Sequence, residues 1–168
     1  PEKSCIYPQV CPLLGLTHEH QLALLKTLRQ VPGVRKVFIS SGIRHDMVMA
    51  DVEYGEEYLQ ELVNYHVSGQ LKLAPEHSQP AVLRRMRKPS VQSLLAFKQR
   101  FDALSKAAGK KQFLTYYLIA AYPGCTQEDM FALKRFASEK LGVLPEQVQI
   151  FTPTPSTYAS LMYYTEKD

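Results

Sequence analysis

Glu76 and His77 stand side by side in Ala74-Pro75-Glu76-His77. A carboxylate next to an imidazole can serve as a general base pair or orient a ligand, and either side chain can equally cap the helix that follows. Arg44, after Ser40-Ser41-Gly42-Ile43, suits a bidentate grip on a carboxylate, with Asp46 as its local alternative. Gly124 and Thr126 flank Cys125 where a strand turns into a helix. Backbone N–H groups there can meet an anion or the polar edge of a cofactor, although a tight turn explains Pro123-Gly124 equally well. Lys72 could form a Schiff base if burial lowered its pKa. Cys5 and Cys11, with His18 and His20 nearby, are possible metal ligands at a spacing that matches no common zinc pattern. Cys125 has no identifiable base, so it is not expected to be a nucleophile.

Four strand-then-helix units must position these residues. Residues 17–30 carry Leu22, Leu25 and Leu28 at helical spacing, Pro32-Gly33 ends them, and 36–40 reads as a strand. A helix over 56–65 leads to a strand over 67–73, and Pro80 suits the first turn of the next helix. The longest predicted helix, 90–108, stops at Gly109 before a strong strand at 113–121. Thr126 is the expected N-cap of a helix over 127–140, with Asp129 as capping-box partner. A last strand, 148–152, runs into a loop rich in Pro and Thr.

Such alternation implies parallel pairing through right-handed crossovers. The absence of a glycine-rich phosphate fingerprint weakens a dinucleotide-binding sheet. The expected class is therefore α/β, the later half of a partial (β/α) TIM-type barrel, with about four parallel strands and flanking helices. In Gln70-Leu71-Lys72-Leu73 the polar residues share one face, and Gln149 alternates with Val148 and Ile150. Those strands face either a wet lumen or a sheet edge. The unusual loops at 41–44, 74–77, 122–126 and 152–155 all fall at predicted carboxyl ends of strands, where such folds hold their sites.

With 168 residues, 45% of them hydrophobic, the chain can bury a core. It has no apolar run of about 18 residues for a membrane span and no visible signal peptide. Three cysteines make no disulfide framework, so a cytoplasmic setting is expected. The cluster Arg84, Arg85, Arg87 and Lys88 reads as a solvated helix end, and a nucleic-acid partner is not expected. The lack of an initiator Met suggests a piece of a longer protein. Residues 1–16 form a cysteine-containing segment and 17–168 the barrel half.

Three segments, taken in order, resemble the radical S-adenosylmethionine (radical SAM) superfamily. Residues 76–88, "EHSQPAVLRRMRK", are similar to its "GxES, then vLxxMxK" segment. Residues 119–129, "IAAYPGCTQED", are similar to "IxGxPGETxED", and 151–159, "FTPTPSTYA", to "PxPGTxA". The runs "SCIYPQVCP", "SGIRHDMVMAD", "HVSGQLKLAPEH" and "QVQIFTPTPSTYASLMYYTEKD" extend the resemblance over essentially the whole chain, specifically to the YgiQ (UPF0313) family and the C-terminal part of its radical SAM core.

The resemblance implies S-adenosylmethionine bound beside a 4Fe–4S cluster in the full-length protein. It places Ser41, Arg44, Lys72, Glu76, His77, Ala120, Pro123, Gly124 and Thr152 around that cofactor. His77 stands where the superfamily has Ser, and Ala121 and Cys125 where it has Gly and Glu. No CxxxCxxC motif occurs in these residues. The segment alone is therefore expected to be inactive, to bind no cluster and to lack the N-terminal half of its barrel. Cys5 and Cys11 are possible ligands of a second metal site, and exposed strand edges invite self-association. The substrate is unknown. The competing readings are a β/α-barrel lyase or hydrolase using Glu76, His77 and Lys72, and an RNA-binding module using the basic cluster.

Overall fold

A computed structural model describes residues 4–145 and 148–167. In chain order its elements are α1 (Glu19–Leu28), α2 (His45–Ala50), α3 (Gly55–Glu61), β1 (Gln70–Glu76), α4 (Pro80–Met86), α5 (Val91–Ala107), β2 (Phe113–Ala120), α6 (Gln127–Phe136), β3 (Gln149–Ile150) and α7 (Tyr158–Thr165). Short π-helical turns, Leu62–His66 and Ala137–Leu141, extend α3 and α6. The strands form one parallel sheet in the order β1-β2-β3, with Ile119 opposite Gln149 and Ala120 opposite Ile150. This is a mixed α/β fold whose consecutive parallel strands fit part of a β/α architecture. Among the described residues no helix is long and apolar enough to cross a membrane.

The chain divides into two compact units, Pro1–Ala74 with Gln92–Thr115, and Pro75–Val91 with Tyr116–Asp168. In the first, two of the three leucines predicted on the buried side of α1, Leu22 and Leu25, are in the core with Tyr58, Leu59, Phe97 and Phe101, while Leu28 is half-buried. Leu71 and Leu73 of β1 are fully buried, while Gln70 and Lys72 alternate with them as exposed residues. In the second unit Val82, Leu83, Leu118, Leu133 and Leu141 form the core.

The sequence predicts four strands, and the described residues form three. Residues 36–40 run without a strand ladder. The Ile39 N–H, donating to the His66 carbonyl at 3.0 Å, the Val37 carbonyl, accepting from His66 Nδ1 at 2.7 Å, and the Ile43–Leu73 bridge tie this stretch to its neighbours. The β-branched pattern is met by partial pairing. The strand expected over 67–73 begins later, after Gly69, whose φ of +134° suits glycine, and runs on to Glu76.

Candidate functional site

Three loops of the second unit follow β1, β2 and β3, and each holds a non-glycine residue at positive φ: Glu76 at +66°, Ala121 at +56° and Ser156 at +62°. Such conformations cost of order 1–3 kcal/mol each and collect at functional sites. At Glu76 the His77 N–H donates to the Pro75 carbonyl at 2.8 Å. An i to i+2 bond around a residue at positive φ is a γ-turn of the rarer, strained hand. The turn closes β1 abruptly and sends the next residues into α4, with Pro80 in its first turn as expected.

The Glu76 carboxylate is 2.6 Å from Lys88 Nζ, so it is held as one half of an ion pair. His77 is 1% exposed. The Gln79 N–H donates to its Nδ1 at 3.1 Å, which leaves the ring hydrogen on Nε2, aimed at Cys125 Sγ 3.5 Å away. Burial pulls the His77 pKa below its ordinary value, against the opposing pull of Asp129. The imidazole is thus a neutral donor whose lone pair is already used. Burial pushes the Cys125 thiol up, and Asp129 adds to that. With its partner nitrogen carrying a hydrogen, Cys125 lacks the base a nucleophilic thiol needs.

The capping box expected at α6 is present. The Asp129 N–H donates to Thr126 Oγ1 at 3.2 Å, and the Thr126 N–H donates to Asp129 Oδ2 at 2.9 Å. The Thr126 hydrogen bonds, with His77 and Arg85 nearby, hold the Asp129 carboxyl below the usual range against burial. The Thr126 N–H read from sequence as open to an anion is therefore already taken by a carboxylate of the helix itself.

Gly124 has φ +74°, and its turn is closed by the Cys125 N–H donating to the Tyr122 carbonyl at 2.8 Å. A Cβ at Gly124 would lie 2.7 Å from Arg85 Cζ, and Arg85 Nη1 donates to the Gly124 carbonyl at 3.1 Å. The glycine makes room for a guanidinium. Gly124→Ala is expected to destabilise the second unit by about 1–2 kcal/mol, from left-handed strain plus a weakened surface hydrogen bond. Gly15→Ala, at φ +61° with nothing within 4 Å, carries the strain alone. Urea midpoints of the two variants separate the contributions, and equal losses would show that Arg85 adds nothing.

Beside this turn Tyr122 is buried and packs edge-on against Phe151, centroids 5.2 Å apart. Burial, with Glu76 close by, pushes its phenol up. The Phe151 N–H donates to the Ala120 carbonyl at 2.9 Å. Ala120 and Pro123 are half-buried and Thr152 is exposed, its hydroxyl donating to the Ile150 carbonyl at 3.4 Å. Thr154 and Thr157 anchor the next helix: Thr157 caps α7, and the Thr154 carbonyl accepts from the Thr157 and Ser160 hydroxyls.

The remaining expected residues lie in the first unit. Ser41 is exposed. Arg44 grips Asp46 bidentately, Nε to Oδ1 at 2.8 Å and Nη2 to Oδ2 at 2.5 Å, the local pairing its sequence allowed. Burial alone would raise the Asp46 carboxyl, and the Arg44 fork brings it below its ordinary value. Lys72 is exposed, without the burial a Schiff-base lysine needs. Cys5 and Cys11 are joined through the backbone, the Cys11 N–H donating to the Cys5 carbonyl at 2.8 Å. Among the described residues no group of three or more His, Cys, Asp or Glu side chains is placed to hold a metal ion.

The basic cluster at the end of α4 is not an open cationic patch. Arg85 lies on Gly124, Lys88 on Glu76, and Arg87 stands 5.2 Å from the Tyr158 ring centroid. Sequence reasoning missed the Lys88–Glu76 pair, although the later Lys of the quoted motif was a signal for it. It also missed Asp129 beyond its capping role.

No protein-family model matches the chain. Similarity to curated proteins is extensive. A UPF0313 protein of Fusobacterium nucleatum is 54% identical over 168 residues, all of this chain and 30% of that relative. One of Thermotoga petrophila is 46% identical over 167 residues, 99% of this chain and 29% of the relative. One of the archaeon Methanosarcina mazei is 44% identical over 167 residues, 99% of this chain and 26% of the relative. The chain thus spans less than a third of the length of these relatives. With identity this high over 99–100% of its length, the chain belongs to the UPF0313 family, also called YgiQ.

Proposed function

We propose that this chain is part of the catalytic domain of a radical SAM enzyme, supplying strands and rim loops of a barrel whose remainder lies elsewhere in the longer protein. One observation carries the reading. The loops after β1, β2 and β3 each turn through a left-handed non-glycine residue, and they are the loops whose sequences resemble that superfamily. The chemistry that a 4Fe–4S cluster and S-adenosylmethionine would supply when bound is reductive cleavage of the sulfonium and radical abstraction of a hydrogen atom from substrate; the residues of this chain would supply positioning.

The cysteines present do not fit such a cluster. Cys125 is engaged with His77, and Cys5 and Cys11 supply two thiols without a third ligand among the described residues. The cluster ligands must come from outside these residues, so the segment alone is expected to be inactive and to bind S-adenosylmethionine weakly or not at all. A second metal site at Cys5 and Cys11 would likewise need ligands from the rest of the protein.

The second unit fits the cofactor's organic part better. Its contribution is positioning and exclusion of water. Ala120, Pro123, Gly124 and Thr152 present small side chains and backbone in the same unit as a buried, neutral His77 that can donate a hydrogen bond but not readily take a proton. Glu76, fixed by its turn and by Lys88, offers an acceptor for a hydroxyl or amino group. Hydrolase or lyase chemistry through the same residues is disfavoured, because His77 has no available lone pair, Glu76 is paired and Lys72 is exposed.

The test uses the full-length protein, reconstituted anaerobically with iron and sulfide, its cluster verified by electron paramagnetic resonance, then reduced with S-adenosylmethionine present. 5′-Deoxyadenosine is the expected product, and its absence from cluster-loaded protein would rule the reading out.

A further inference from the structure

The first unit holds a basic depression of about 560 Å³ that plays no part in the catalysis proposed above. Five cations line it, Arg29, Arg35, Lys36, Lys110 and Lys111, and no acidic side chain does. The lining comes from three stretches far apart in sequence, 29–38, 64–69 and 110–112. The backbone joins those stretches: Ile39 N–H donates to the His66 carbonyl and Phe113 N–H to the Gly69 carbonyl, both at 3.0 Å. Gln112 Nε2 adds bonds to the Val63 and Val67 carbonyls at 3.0 and 3.2 Å.

The cations divide into two kinds. Arg29 and Lys110 are fixed. Arg29 Nη1 donates to Glu61 at 2.7 Å, and its guanidinium lies 3.3 Å from the Tyr65 ring centroid. Lys110 Nζ donates to the Val63 and Asn64 carbonyls. Arg35, Lys36 and Lys111 have no carboxylate partner among the described residues and are exposed. Between them stand two half-exposed rings, Phe38 at 46%, with Lys36 Nζ 5.8 Å from its centroid, and Tyr65 at 48%, with Arg29 on one face.

A small anion would need donors converging on one point, and an acidic peptide would leave the rings unused. Cations without carboxylate partners, set around two half-exposed rings, suit a phosphodiester backbone whose bases can stack. We propose that this depression binds a single-stranded polynucleotide, with phosphates on Arg35, Lys36 and Lys111 and a base stacked on Phe38 or Tyr65. It is a different surface from the basic end of α4, where Arg85, Arg87 and Lys88 are engaged internally.

The experiment titrates full-length protein into fluorescein-labelled oligo(rU) and oligo(dT), following anisotropy across a salt series. Three phosphate contacts predict a slope of log affinity on log salt of about −2. Lys36→Gln with Lys111→Gln should weaken binding at low salt by about tenfold and flatten the slope by about 1.4. Phe38→Ala should weaken it by about tenfold with little change in slope. Lys134→Gln with Lys140→Gln, exposed lysines of the second unit, should change neither. The ratio of oligo(rU) to oligo(dT) affinity identifies which polynucleotide is preferred.

Four results overturn the proposal: no binding, equal loss in the Lys134/Lys140 pair, equal affinity for an oligoglutamate of matched charge, or protection of Lys36 and Lys111 from acetylation in the full-length protein. 5′-Deoxyadenosine formation measured on the same variants should be unchanged, so failure here is distinguishable from failure of the radical SAM reading.

Discussion

Asp51→Ala is expected to destabilise the first unit by about 3–5 kcal/mol, because its carboxylate satisfies four donors at once. Oδ2 accepts from the His18 N–H at 2.7 Å and from His18 Nδ1 at 2.8 Å. Oδ1 accepts from the Glu53 and Tyr54 amides at 3.2 and 2.9 Å. The side chain is 2% exposed, so water cannot replace it without opening the turn between α2 and α3. The His18 ring also packs on Tyr58, centroids 4.7 Å apart, and Tyr58 is a core residue.

Asp51→Asn keeps a single acceptor oxygen and should lose about half as much. Burial would raise the Asp51 carboxyl, but the Tyr54 and His18 hydrogen bonds hold it below its ordinary value. For a carboxyl depressed in the folded state, the stabilisation is present above the unfolded pKa and disappears as pH falls through the folded one. The wild-type advantage over Asp51→Ala should therefore persist through neutral pH and shrink only below about pH 4. Amide exchange in the full-length protein reads the effect, with the α1 and α3 amides exchanging about a hundredfold faster or more in Asp51→Ala. Unchanged protection there would refute the assignment.

The sequence discloses what is local and periodic. The leucines of α1, the long α5, Pro80 at the start of α4 and the Thr126–Asp129 box depend on residues three or four apart. Gln70 and Lys72 betrayed their exposed face because a strand alternates with a period of two. The short α2 escaped notice, since six residues of His-Asp-Met-Val-Met-Ala carry little periodic signal. So did α7, hidden behind the Pro- and Thr-rich loop whose Thr157 is its N-cap.

The candidate site divides the same way. Its loops were legible as strand ends, while its chemistry was not. That Glu76 is held by Lys88, or that Gln79 takes the His77 lone pair, depends on a γ-turn no composition rule anticipates. Charge misled for a related reason. Arg84, Arg85, Arg87 and Lys88 crowd in sequence, and all but the exposed Arg84 find internal partners. Lys111 lies far in sequence from Arg35 and Lys36, and the three meet only once the chain folds.

His66→Leu should cost about 2–4 kcal/mol and loosen residues 36–40, the stretch that reads as a strand but forms no ladder. His66 is fully buried. Its Nδ1 donates to the Val37 carbonyl at 2.7 Å, and its Nε2 lies 3.2 Å from Glu61 Oε1, which also accepts from Arg29. The His66 carbonyl takes the Ile39 N–H. One residue therefore replaces, by side chain and backbone, much of the pairing a missing ladder would provide. Leucine fills comparable space but leaves the Val37 carbonyl without its donor, and desolvation of that carbonyl opposes folding. In full-length His66→Leu the Ile39 amide should lose most of its exchange protection, while amides of α6 in the other unit keep theirs. Because no cation is removed, polynucleotide affinity should fall through misplacement of Arg35 and Lys36, with a smaller change in salt slope than the Lys36/Lys111 pair gives. Intact protection of Ile39 in this variant would mean that the segment is held by something other than His66.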